Sequence, residues 1–121
     1  MTIIIKGQTP AQKNRKKVSC VGGRARLYTE KSVKEWQDYA HLQIKNQFKQ
    51  VTIQSKVTIA YTFYVKDKRR RDSDNMVATV NDALVKAGVI KDDSWELLAC
   101  GGYDAELDRD NPRAEIYISI D

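Results

Sequence analysis

The sequence has little of what staples small folds together. It holds two cysteines, Cys20 and Cys100, in 121 residues. Two cysteines so far apart cannot build the disulfide framework of a small secreted domain, and they fit a reducing compartment. One histidine, His41, stands with no cysteine or second histidine near it in sequence. That leaves no zinc-type ligand set, and His41 reads as a surface or half-buried structural residue. Proline occurs twice and glycine six times, too few for a linker or a fibrous repeat. No apolar run approaches the roughly 20 residues of a membrane-spanning helix, so no membrane partner is expected. The start, Met-Thr-Ile-Ile-Ile-Lys, has no basic segment ahead of an apolar one, so no secretion signal is expected and the cytoplasm is the expected location. Acid is absent from the first 29 residues.

What is present is globular in composition, with 41% hydrophobic and 31% charged residues, which excludes a disordered chain. The length allows one domain, residues 1–121, around one core. Net charge is +5, but its distribution says more than its sum. Seven bases lie in residues 1–29, and nine acids against two bases lie in residues 92–121. A further burst, Lys66-Asp67-Lys68-Arg69-Arg70-Arg71, sits mid-chain. Such asymmetry implies a polyanion partner on one face.

Hydrophobic spacing divides the chain into elements. Thr2 to Lys6 is a β-branched run, a strand. Gly7 to Asn14 reads as a loop. Lys17–Val21 and Arg24–Tyr28 flank Gly22-Gly23, which predicts a two-residue hairpin with basic arms. A helix starts at Thr29 or Ser32, and Ser32 with Glu35 fits a capping box. Val33, Trp36, Ala40, Ile44 and Phe48 recur at three and four residues and form its core stripe. In Val57–Val65, alternate residues from Val57 form the core face of a strand. A second helix is predicted over about Asp74–Ala87, with Met76, Val80, Leu84 and Ala87 inward and Gly88 as its left-handed cap. Trp95–Cys100, a Gly101-Gly102 break, an acidic loop through Asn111-Pro112 and a last strand follow. The fold expected is α+β: one mixed sheet of about six strands with two helices packed on it.

The densest polar segment, Arg69-Arg70-Arg71-Asp72-Ser73-Asp74-Asn75, lies at the mouth of the second helix. A carboxylate there is favoured by free N–H groups, and a cap needs only one. Here there are two, and Asp92-Asp93 follows the same helix. The two pairs meet only if the next strand lies against the one before the helix. Converging carboxylates repel, so a cluster would need a cation. An oxygen-only donor set selects a hard ion, Mg²⁺ or Mn²⁺, and such ions commonly also bind phosphate. A basic rim with a metal suits a phosphodiester.

Arg71-Asp72-Ser73-Asp74-Asn75, Asn81-Asp82-Ala83-Leu84, Ala87-Gly88 and Asp92-Asp93 together resemble the RusA family of Holliday junction resolvases, phage- or prophage-borne bacterial endonucleases. Pro10 to Arg15, with Asn14, looks like that family's Pro/Asn-containing loop. The resemblance implies a homodimeric, Mg²⁺-dependent enzyme that cuts four-way DNA junctions symmetrically in recombination and repair, with Mn²⁺ as a substitute ion. It implies Asp72, Asp74 and Asp93 as metal carboxylates and catalytic residues. It implies backbone contacts by Arg69 and Arg71, and the basic charge of the two segments adds Lys68, Lys13 and Arg15, with Asn14 between the last two, as expected DNA contacts. The chain departs from the family at Ala78, where members commonly carry a lysine. A non-catalytic branched-DNA-binding protein is the alternative that this departure favours.

Overall fold

A computed structural model of the chain describes residues 1–11, 16–21, 24–29 and 31–121. The elements run β1 (Thr2–Lys6), β2 (Lys16–Val21), β3 (Arg24–Thr29), α1 (Lys31–Gln47), β4 (Val57–Val65), α2 (Ser73–Lys86), β5 (Leu98–Leu107) and β6 (Arg113–Ile120). The α+β class and the order of elements are as expected. The strand arrangement is a correction. The six described strands divide into a four-stranded mixed sheet, β1-β6-β4-β5, and a separate two-stranded ribbon, β2-β3. The ribbon is antiparallel with Val21 opposite Arg24, the pairing that the hairpin reading requires. Residues 22–23 between them lie outside the described residues.

β6 is antiparallel to both β1 and β4, whereas β4 and β5 run parallel. A parallel pair needs a crossover, and α2 supplies it. Alternation then fixes the buried face. Ile3 and Ile5 lie opposite Ile116 and Ala114, and Ile59, Tyr61 and Phe63 lie opposite Ile118, Ile116 and Ala114. All are buried in the one core cluster that also holds Trp36, Ala40, Ile44 and Phe48 of the α1 stripe and Met76, Val80 and Leu84 of α2. The helices therefore cover one face of the sheet. Val65, at the strand end, is only half-buried.

Three local expectations change. α1 begins at Lys31, so Ser32 is its second residue rather than its cap, and Thr29 still belongs to β3. The capping-box reading of Ser32 and Glu35 therefore fails by position. Second, the Gly101-Gly102 pair does not break the chain. It lies inside β5, where the register against β4 shifts between Ile59 and Tyr61. A Cβ on Gly101 would come within 3.1 Å of the Thr58 methyl, and Gly102 has φ +114°, so glycine suits a bulge at both positions. Third, β5 starts at Leu98 rather than Trp95.

Two other features place the site. α2 ends as read: Gly88 takes φ +79°, its N–H donates to Val85 O, and that of Val89 donates to Leu84 O, a Schellman motif. The free edge of β1 is closed by α1. The Gln47 amide bonds both Ile4 N–H and Ile4 C=O (2.8 and 2.6 Å), and Gln43 does the same at Lys6 (2.7 and 3.3 Å). β5 is the other edge strand of the sheet, and most of it is exposed.

Candidate active site

The site is built around the start of α2. The N-cap is Asp72, in extended backbone (φ −78°, ψ 113°). Its Oδ1 accepts from Asp74 N–H at 3.0 Å and Asn75 N–H at 3.4 Å. Both bonds fall on one oxygen, which leaves Oδ2 for another ligand. Asp74, in the first turn, is exposed. The cap expected of one carboxylate is thus Asp72, and Asp74 is surplus to that role. Ser73 Oγ donates to Tyr103 OH at 3.0 Å, tying the head of α2 to β5 at the level of Tyr61, with which Tyr103 is in register.

The basic segment that leads into Asp72 is folded on itself. Arg71 Nη2 lies 2.8 Å from Asp67 Oδ1. Arg71 Nη1 donates to the carbonyls of Asp67 (3.1 Å) and Arg69 (3.3 Å), and Arg69 N–H donates to Asp67 Oδ1 at 3.0 Å. The Arg69 N–H, then Arg71, hold the Asp67 carboxyl below its ordinary pKa. The Arg71 side chain is 13% exposed, whereas Lys68, Arg69 and Arg70 are exposed. Lys66 N–H, at the head of this loop, donates to Gln8 Oε1 at 2.8 Å. That bond brings the start of the N-terminal loop to the basic loop. Lys13, Asn14 and Arg15 lie outside the described residues.

The condition for the two acidic pairs to approach one another is met, because β5 lies against β4. Asp92 and Asp93 are exposed, and Asp92 Oδ1 accepts from Asp93 N–H at 2.8 Å. Burial, then the nearby Cys100, push the pKa of the Tyr61 hydroxyl up, with Asp93 the smallest contributor, and the hydrogen bond to Asn81 opposes the rise. Tyr61 OH donates to Asn81 Oδ1 at 2.5 Å, within the buried interior. Asp72 and Asp74 are at the head of α2, some seven to nine residues before Asn81, or about 10–14 Å along the axis. Among the described residues no three His, Cys, Asp or Glu side chains are grouped as a metal site.

Sequence reading took Tyr61 only as core and did not single out Tyr103. A buried tyrosine hydroxyl needs a partner, so the polar Asn81 on the inward side of α2 was the available signal for the first. Tyr103 left none. Ala78 is half-buried and outside the core cluster. Lys86 lies 3.1 Å from Asp82, a turn back along α2, and that pairing holds it about two turns short of Asp74.

A family profile described as Endodeoxyribonuclease RusA matches residues 8–119. The chain belongs to the RusA endodeoxyribonuclease family. The match takes in the basic loop, α2 and both acidic pairs. Over 85 residues the chain is 31% identical to the crossover junction endodeoxyribonuclease RusA of Aquifex aeolicus (strain VF5). That stretch is 70% of this chain and 66% of the relative, a little under two thirds of its length. Among the described residues of this RusA-family chain, no helix is long and apolar enough to cross a membrane.

Proposed function

We propose that this chain is a Mg²⁺-dependent endodeoxyribonuclease that resolves four-way (Holliday) DNA junctions by paired symmetric nicks in recombination and repair. The proposal places it in the cytoplasm as a homodimer. The observation that carries the reading is that the RusA-family match spans a surplus carboxylate, Asp74, beside a capping one, Asp72, directly after an exposed basic loop. A cap accounts for one of these acids and not for the other.

The donors are all oxygen, which suits a hard ion held by one or two carboxylates, waters and a phosphate oxygen. Asp72 through Oδ2, Asp74 and Asp93 would hold it, with Mn²⁺ as a substitute. When bound, Mg²⁺ would supply an acidified water and charge stabilisation at the phosphodiester. The chain's own residues supply the rest. Lys68, Arg69 and Arg70 grip the backbone from the ordered loop. Lys13, Asn14 and Arg15 extend that grip with the charge of the N-terminal segment. Arg71, paired with Asp67, fixes the loop's shape. Two symmetric nicks need two sites, one from each subunit of a C₂ dimer.

The test is a set of single substitutions assayed on synthetic four-way junctions. Asp74→Asn should abolish cleavage in Mg²⁺ while junction binding in Ca²⁺ survives or tightens, because a negative charge has left a phosphate-facing site. If Asp72→Asn, Asp74→Asn and Asp93→Asn all cut normally, the carboxylates serve only the fold. A second reading, a branched-DNA-binding protein without catalysis, is favoured by Ala78. It predicts tight junction binding by the unmodified protein with no cutting at any Mg²⁺ concentration.

A further inference from the structure

Trp95 is 80% exposed, the most exposed aromatic among the described residues. Exposure of a single apolar side chain is ordinary and carries nothing alone. Its mounting is what matters. Trp95 stands two residues after Asp93, on a hydrogen-bonded turn fastened to β4 at its far end. Leu97 N–H and Leu98 N–H both donate to Ser94 O (3.0 and 2.9 Å), and Val57 N–H donates to Leu97 O at 2.9 Å, which fixes the turn to the start of β4. On the other side Asp92 Oδ1 takes Asp93 N–H. The indole is thus presented from a hydrogen-bonded platform.

Its surroundings define what fits it. Lys91, Asp92, Asp93 and Glu96 are exposed, while Ser94 and Leu97 are half-buried. There is no apolar patch along the turn for a protein surface to cover. An acidic turn also repels bare phosphates. A flat aromatic ring with a polar rim suits another flat ring with a polar rim, a nucleobase. Within a continuous duplex such a face is hidden, and exposing it costs unstacking. At a branch point the strands change partners, and a base-pair face can be uncovered there at lower cost.

We infer that Trp95 is a base-stacking contact that takes the face of a nucleobase at the branch point of the DNA, and so selects branched DNA over linear duplex. This rests on the reading of the chain as a DNA-junction protein. It does not rest on the carboxylates cutting.

The chain has two tryptophans, and Trp36 is in the core at 8% exposure. Tryptophan emission that responds to added DNA therefore reports on Trp95. The probe is a synthetic four-way junction titrated in Ca²⁺, where nothing is cut, against a linear duplex of equal length. The junction should quench and shift the emission, and the duplex should leave it unchanged. Trp95→Ala should weaken junction binding by about 5- to 150-fold and leave duplex binding and the melting temperature unchanged. Trp95→Tyr should restore most of the lost affinity. An unchanged junction-to-duplex ratio in Trp95→Ala overturns the inference. So does free-protein emission that is already blue-shifted and moves red on dilution, since the indole would then be covered by a second copy. These titrations read binding, so normal cutting by the three Asp→Asn variants would sink the catalytic reading and leave this one standing.

Discussion

Asp67 holds Arg71 at 2.8 Å, so the most buried arginine of the basic loop is neutralised by the loop's own acid. The guanidinium also ties down the Asp67 and Arg69 carbonyls. This gives an acid a constructive part in binding a polyanion. Counting charge alone, Asp67→Asn should tighten DNA binding. The geometry gives the opposite sign: the loop loses its brace, and Lys68, Arg69 and Arg70 lose their fixed presentation. Asp67→Asn should weaken junction binding by about two- to fivefold, since partly exposed pairs are individually modest. Filter binding or anisotropy at fixed salt decides the sign.

Phosphate contacts should dominate affinity. With six to ten contacts from the basic segments, affinity should fall by roughly 10³–10⁵ between 50 and 200 mM salt. A flat response in a salt titration would remove the electrostatic part of the account.

The sequence made much of this fold legible where burial follows a period. Val33, Trp36, Ala40, Ile44 and Phe48 are all buried, as the spacing predicts. The β4 alternation and the Gly88 cap also match. Its errors have physical causes. Glycine pairs punctuate most chains, but Gly101-Gly102 permits a bulge beside Thr58 instead of a break. Gln43 and Gln47 close the β1 edge across some forty residues of sequence, a long-range pairing with no periodic trace. The split of six strands into four and two is likewise a matter of who pairs with whom. At the site, the cap and the surplus carboxylate were readable. The Ser73–Tyr103 tie was not, because it joins elements 30 residues apart.

Ala78 tests the placement of α2. It is half-buried and outside the core cluster, one turn beyond Asp74, so a lysine there has a path to solvent along its stem. Ala78→Lys should raise the single-turnover cleavage rate by about tenfold, less than the 10²–10³ that a preorganised donor is typically worth. Its melting temperature should stay within about 2 °C of the parent, since both residues favour helix. An unchanged rate with an unchanged melt would mean that position 78 does not face the reacting phosphate.

Arg113 ties the end of the sheet together. It lies 2.8 Å from Glu115 and 3.0 Å from Asp108 and 3.8 Å above the Tyr64 ring. The Tyr117 hydroxyl, then Arg113, hold the Glu115 carboxyl below its ordinary pKa of 4.5. A depressed carboxylate stabilises the fold above its ordinary pKa, and that contribution fades as pH falls through the folded value. Glu115→Gln should lower Tm by roughly 3–6 °C at pH 7, and the gap should close as pH falls from 4.5 toward 3. A gap that is constant down to pH 3 would mean that the charge of Glu115 is not what stabilises this end of the sheet.

The carboxylates around the head of α2 are proposed to serve metal-dependent cutting of branched DNA. The most direct measurement is a Mg²⁺ titration of the unmodified protein on a synthetic four-way junction, with a linear duplex alongside and EDTA as control. The account predicts paired nicks at symmetry-related positions in the junction, appearing with Mg²⁺, absent in EDTA and absent from the duplex. Cutting that persists in EDTA, or a fully bound junction left intact at every Mg²⁺ concentration, would contradict it.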